Sequence, residues 1–233
     1  MNNNYKVQRY YKLQKRLPHN KDSFVHKFNF YKIVWIIIIG GLLGYIVETT
    51  WNLAVTGEFL NNQGLIYMPI KPVYALGAIL FSLLAEKIIN INGLFIFLIC
   101  AFIGAFFEFL CSLFQEYVLG KAFWDYSDSP FNIQGRTSLF YAILWGTLGL
   151  IFIRHIYPFA CRMIEKIPNK PGKIITWLLF VFLIFNIFIS TCAIKRQTNR
   201  NHGIPPKNIF SEFLDKCYDD EFLSKVYCTM TTL

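Results

Sequence analysis

Five long apolar segments decide what this chain can become. They run from Ile33 to Val55, Val73 to Ile89, Gly93 to Val118, Thr137 to Tyr157 and Ile174 to Ile194. A helix rises about 1.5 Å per residue, so roughly 20 apolar residues cross a hydrocarbon core of about 30 Å. The chain therefore reads as all-α: a polytopic integral membrane protein with about five transmembrane helices in one bundle. Charged residues make up only 16% of the sequence, against about 25% in soluble domains, which supports the same class.

Residues 1–32 form a basic, tyrosine-rich arm, 33–194 the transmembrane helical domain and 195–233 a mixed-charge tail. The net charge of +9 does not point to nucleic acid, because of where it sits. Eight basic residues (Lys6, Arg9, Lys12, Lys15, Arg16, Lys21, Lys27 and Lys32) precede the first apolar segment. Basic flanks mark the cytoplasmic side of membrane helices. The N-terminus is accordingly expected in the cytoplasm and the protein in the plasma membrane, as a multi-pass chain with the lipid bilayer as its first partner. Five crossings leave the tail outside, where Lys195, Arg196 and Arg200 oppose the rule. An interfacial fifth segment would remove that conflict. The first apolar run is too long for a signal peptide and reads as a retained anchor.

Two segments carry matching stripes. Gly41, Gly44, Glu48 and Asn52 fall at helical spacing on the first, and Ala101, Gly104, Glu108, Ser112 and Gln115 on the third, with Glu116 at the edge. Small residues let helices approach closely. A carboxylate facing lipid costs several kcal/mol, so Glu48 and Glu108 are expected to face protein or water. The connection between the first two segments carries Pro69 and Pro72, which bias Met68 and Lys71 towards extended geometry, and its Leu65-Ile66-Tyr67 suggests a loop that dips towards the membrane.

The polar loop Phe123 to Arg136 holds the densest run of hydrogen-bonding side chains in the sequence. Asp125 and Asn132 can bond nearby amides there. Arg136 is expected to partner a carboxylate of the first or third helix, since pairing lowers the burial cost of either charge. Glu48, Glu108, Glu116, Asp125, Asn132 and Arg136 are the candidate substrate-binding or intramembrane polar site. A loop of this kind can equally serve only to cap two helix ends.

Other chemistries find no support in the sequence. There is no Gly-x-x-x-x-Gly-Lys-Ser/Thr phosphate loop, no His-Glu-x-x-His and no Gly-x-Ser-x-Gly elbow. No cysteine pair has zinc or redox spacing. No catalytic residue, metal site or cofactor is assigned.

The order Gly44-Tyr45-Ile46-Val47-Glu48, Gly64-Leu65, Pro69-x-x-Pro72-Val73-Tyr74-x-x-Gly77 resembles the first half of the bacterial ABC-transporter type IV permease-like membrane proteins. Glu108, Glu116, Trp124-Asp125-Tyr126-Ser127, Phe131-Asn132-Ile133-x-Gly135-Arg136 and Trp145-Gly146 resemble the second half. Gln63, Lys71 and Ala75 depart from the pattern, which sets the first outer loop apart. The resemblance implies a permease subunit working with a separate ATPase chain, coupled by analogy through the basic Arg154 to Lys173 stretch; a further copy of the chain is a candidate partner that the sequence itself does not decide. Three functions follow as expectations: a transport component with an outer polar site, a membrane enzyme acting on lipid or envelope precursors, and a scaffold whose carboxylates serve helix pairing. A continuous polar path favours the first. A pocket opening sideways to lipid favours the second, and a dry interior the third.

Overall fold

The long helices start and stop where their capping chemistry allows. In the computed structural model, residues 22–59, 61, 63–228 and 231–232 are described; most of the basic arm, residues 1–21, lies outside them. α1 (Phe30–Thr56) begins at Asn29, whose side chain accepts from the Lys32 amide, and ends at Gly57 in the left-handed region. α2 (Pro72–Ile88) opens on a proline, which lacks the amide a first turn would leave unpaired. α3 (Gly93–Leu119) is capped by Asn92 and ends at Gly120. α4 (Leu139–Ile151) continues through one π-turn (Phe152–Ile156) into α5 (Tyr157–Glu165). α6 (Asn169–Asn201) is the longest, and two short helices follow, α7 (Ile209–Cys217) and α8 (Asp220–Val226).

Four helical stretches are long and apolar enough to cross a membrane: 30–56, 93–119, the continuous 139–165, and 169–201. The protein is an all-α polytopic membrane bundle. The five apolar segments give four such helices, and the second segment is the one that falls short. α2 has 17 residues, or about 25 Å of rise against a core of about 30 Å. It starts deep in the bundle, with the Lys71 amide bonded to the Gly41 carbonyl, 3.1 Å away, in the middle of α1. The connection before it turns into the bundle. Leu65, Ile66 and Ile70 are buried. Its backbone is satisfied by α6, where Ser190 Oγ accepts from the Ile66 amide (3.0 Å) and Asn186 Oδ1 from the Tyr67 amide (3.1 Å). Irregular backbone survives at membrane depth only with such partners.

The basic stretch from Arg154 to Lys173 is mostly helix rather than loop; only residues 166–168 separate α5 from α6. At that end of the bundle the last part of the arm packs on α5 and α6, with Phe24, Val25 and Ile164 in one cluster and the Phe24 amide bonded to Asn169. The opposite end carries the 57–71 connection, the polar loop and the tail. There the two-residue strand β1 (Lys121–Ala122) pairs antiparallel with β2 (Thr231–Thr232). The Gln63 amide reaches the Val226 carbonyl, and the Tyr67 and Tyr218 hydroxyls are hydrogen-bonded.

The tail is clasped to α6 by charge. Asp215 takes both Arg196 and Arg200, and Asp220 takes Arg200. Hydrogen bonds from Arg196 hold the Asp215 carboxyl below the usual range, against its burial and with help from Arg200; Arg200 does the same for Asp220. A carboxylate lowered by folding contributes stability above its unfolded value of about 3.9, and that stability is lost as pH falls through the folded value. Acidification below about pH 4 is therefore expected to loosen α7 and α8 from α6. Hydrogen exchange at the Leu214 and Leu223 amides measures this, and unchanged protection down to about pH 3 would remove the clasp from the account.

Candidate functional site

Two tight helix pairs create a gap between them. α1 and α2 meet at glycines: a Cβ on Gly44 would overlap the Tyr74 ring, and one on Gly41 would overlap Ile70. α3 and α4 meet the same way, since a Cβ on Gly104 would lie 2.5 Å from Trp145 Cβ and one on Gly149 2.5 Å from Cys100 Cβ. Close backbones strengthen each pair, because van der Waals contact is the main attraction between helices in lipid. Trp145 wedges between the pairs, its ring against those of Tyr74, Phe81 and Phe107.

On the polar-loop side of Trp145 lies a cavity of about 1010 Å³. Its walls come from α1, α2, α3, α4 and α6 and from the start of the polar loop. On the other side Phe81, Ala85, Ile96, Cys100, Phe152 and Ile153 belong to a buried, mostly apolar cluster. Of the residues buried in that cluster only Trp145 also lines the cavity.

Most of the wall is apolar, and the charged groups are few. Glu48 meets Lys71 Nζ at 2.7 Å. Glu108 is 5% exposed, and its oxygens accept from Thr137 Oγ1 at 2.8 Å and Tyr126 OH at 3.3 Å. Tyr126 stacks on Tyr141 with ring centroids 3.6 Å apart. Burial pushes the Tyr126 phenol far up, and the Glu108 charge adds to it.

Of the six residues singled out in the sequence, Glu48, Glu108 and Asp125 line the cavity; Glu116, Asn132 and Arg136 do not. Arg136 pairs with Glu116 of α3 and donates to Ser112 Oγ at 3.1 Å. Glu48, on the first helix, is held by Lys71 instead. Asp125 and Asn132 lock the loop. Asp125 Oδ1 accepts from the Ser127 amide and hydroxyl at 2.9 and 2.6 Å, and these bonds hold its carboxyl below the usual range. Asn132 donates to the Ser127 and Ser129 carbonyls and accepts from the Gly135 amide. Trp124 Nε1 donates to the Arg136 carbonyl at 2.9 Å. Gly135 has φ +66°, and a Cβ there would strike Asp125 Oδ1 and Ser127 Oγ at 2.5 Å. Phe131 and Gln134 also have positive φ, which costs a non-glycine residue energy and is sustained by this bond network.

Sequence reasoning set Lys71 aside and did not assign Thr137, Tyr141 or Gln115 to the site. The one available signal was arithmetic: two buried carboxylates on helices needed partners, and Lys71 was a nearby ammonium without one.

Residues 35–191 match the family described as "Putative ABC-transporter type IV". The chain belongs to this family. The match takes in both helix pairs, the polar loop and the cavity, and stops before the clasped tail. No curated protein and no solved structure matches the chain. Among the described residues no group of three or more His, Cys, Asp or Glu is placed to hold a metal.

Proposed function

We propose that this chain is the membrane-spanning component of a transporter, working with an ATPase carried on a separate chain, and that the cavity is its solute site in a state open towards the polar-loop end. The observation that carries the reading is the one-sided cavity: it reaches Glu108 and Trp145, and of the residues buried in the apolar cluster around Phe81 and Phe152 only Trp145 lines it. The continuous polar path expected of a transport component is not found among the described residues; a cavity reached from one side is instead what alternating access requires of each state. The family membership supports transport, and its name supplies the ATPase. In this reading α2 and the connection before it complete a fifth crossing, the basic arm is cytoplasmic, and the tail and polar loop lie outside, as the balance of Lys and Arg favours.

Cys111 lines the cavity and provides a test. With the other five cysteines changed to serine, a membrane-impermeant, water-soluble thiosulfonate added to intact cells is expected to label Cys111 from outside. Supplying ATP and the co-purified ATPase in vesicles is expected to change the labelling rate. A Cys111 that no aqueous reagent reaches from either side would overturn the solute-site reading. The mostly apolar wall favours a second reading, an enzyme acting on a lipid or envelope precursor. Mass spectrometry of lipid extracts incubated with the protein distinguishes it by a new product.

A further inference from the structure

We propose that the cavity takes a lipophilic organic cation, with the Glu108 carboxylate as its counter-charge; this rests on the reading of the cavity as a solute site. The charged groups on the wall do not balance. Glu48, Glu108 and Asp125 face it against one ammonium, Lys71, and Lys71 is already engaged by Glu48 at 2.7 Å. The nearby guanidinium of Arg136 is turned to Glu116 and Ser112. Among the described residues Glu108 has hydroxyl partners, Thr137 and Tyr126, and no ion-pair partner. A buried carboxylate without a counter-ion is costly in an apolar setting, and a bound cation removes that cost.

The rest of the wall suits the same ligand. Tyr74, Tyr126, Tyr141 and Trp145 line the same cavity as Glu108, and aromatic side chains attract cations, most strongly where water is excluded. Gln115 lines the cavity, and its buried Oε1 has no hydrogen-bond partner among the described residues. Asn52, on the α1 wall, also lines the cavity, and its buried Nδ2 has no hydrogen-bond partner among the described residues. The large apolar remainder of the wall requires a greasy body. An anion would meet three carboxylates and an ammonium already spoken for.

Tetraphenylphosphonium and tetraphenylborate have the same shape and opposite charge, which separates charge selection from apolar capture. Equilibrium dialysis of the full chain in zwitterionic nanodiscs, with the uptake of empty nanodiscs of the same lipid content subtracted because both ions partition into lipid, is expected to show protein-dependent binding of the cation and none of the anion. Glu108→Gln is expected to weaken cation binding by about tenfold or more, and Glu108→Asp to retain most of it. Lys71→Gln is expected to tighten it, because the wall becomes more negative; a merely structural role for these charges would not give opposite signs. Equal binding of the two ions, no binding of the cation, or weakening by Lys71→Gln would overturn the assignment, and the last arm decides even if the Glu108 variants fail to fold. Binding without movement across vesicles would keep the cation and remove the transporter. A water-reachable Cys111 with no cation binding would do the reverse.

Discussion

Glu108→Gln is expected to abolish solute movement while leaving the chain folded and in the membrane in near wild-type amount. Glutamine keeps the side chain's volume and one acceptor oxygen for Thr137 or Tyr126, whose hydroxyls now bond the two carboxylate oxygens. What it removes is the charge. Glu108→Ala does more, because it leaves a void and strands both hydroxyls; truncation at a buried site costs about 2–5 kcal/mol, and each stranded polar group about 1–3 kcal/mol. The pair is read in cells lacking the native gene, by phenotype and by protein level side by side. If Glu108→Gln cells behave as wild type while Glu108→Ala cells lose the protein, Glu108 only holds the bundle together.

The largest effect on folding is expected at Gly104. A Cβ placed there lies 2.5 Å from Trp145 Cβ and 2.8 Å from its Cγ, on a ring also packed on Tyr74, Phe81 and Phe107. The tryptophan cannot yield to α3 without disturbing α2, which carries Tyr74 and Phe81. Overpacking typically costs about 1–3 kcal/mol, so Gly104→Ala is expected to lower the melting temperature clearly, and Gly104→Leu to leave little folded protein. Gly93→Ala is the control, since its Cβ would make only an ordinary 3.8 Å contact with Leu150. Detergent-phase thermal unfolding followed by size-exclusion chromatography measures all three. Similar melting for Gly104→Leu and Gly93→Ala would mean that α3 and α4 are not packed as described.

The helix pairs were legible because their spacing is local. Gly41, Gly44 and Glu48 lie on one stripe, as do Gly104, Glu108 and Ser112, and a period of 3.6 puts each set on a single face. In the structure those faces meet Ile70, Tyr74 and Lys71 in one pair and Trp145, Thr137 and Arg136 in the other. The dip of Leu65-Ile66-Tyr67 was also readable, since three apolar residues sat inside a polar connection. Its anchors were not. Asn186 and Ser190 stand more than a hundred positions away, and no local rule couples a loop amide to a distant helix side chain. The short reach of α2 was hidden for the same reason: an apolar run shows where a helix can form, not how deep it begins. The π-turn at Phe152–Ile156 and the second tail helix, α8, left no periodic mark long enough to read. Arg136 shows the limit for the site. Its need for a carboxylate was predictable, but the choice of Glu116 over Glu108 depended on the path of the loop from Trp124 to Thr137.

The dipping connection sets an order for biogenesis. Its Ile66 and Tyr67 amides are satisfied by residues 124 and 119 positions further along the chain. With the connection at membrane depth, as proposed above, these donors have no partner until α6 has left the ribosome, and the first hairpin cannot settle before then. Insertion of α1 and α2 is thus provisional, and the last long helix to be synthesised completes the assembly of the first. A nascent chain halted before Asn186 should be held by the insertion machinery or cleared by membrane proteases, whereas one released just beyond Ser190 can already close its first hairpin.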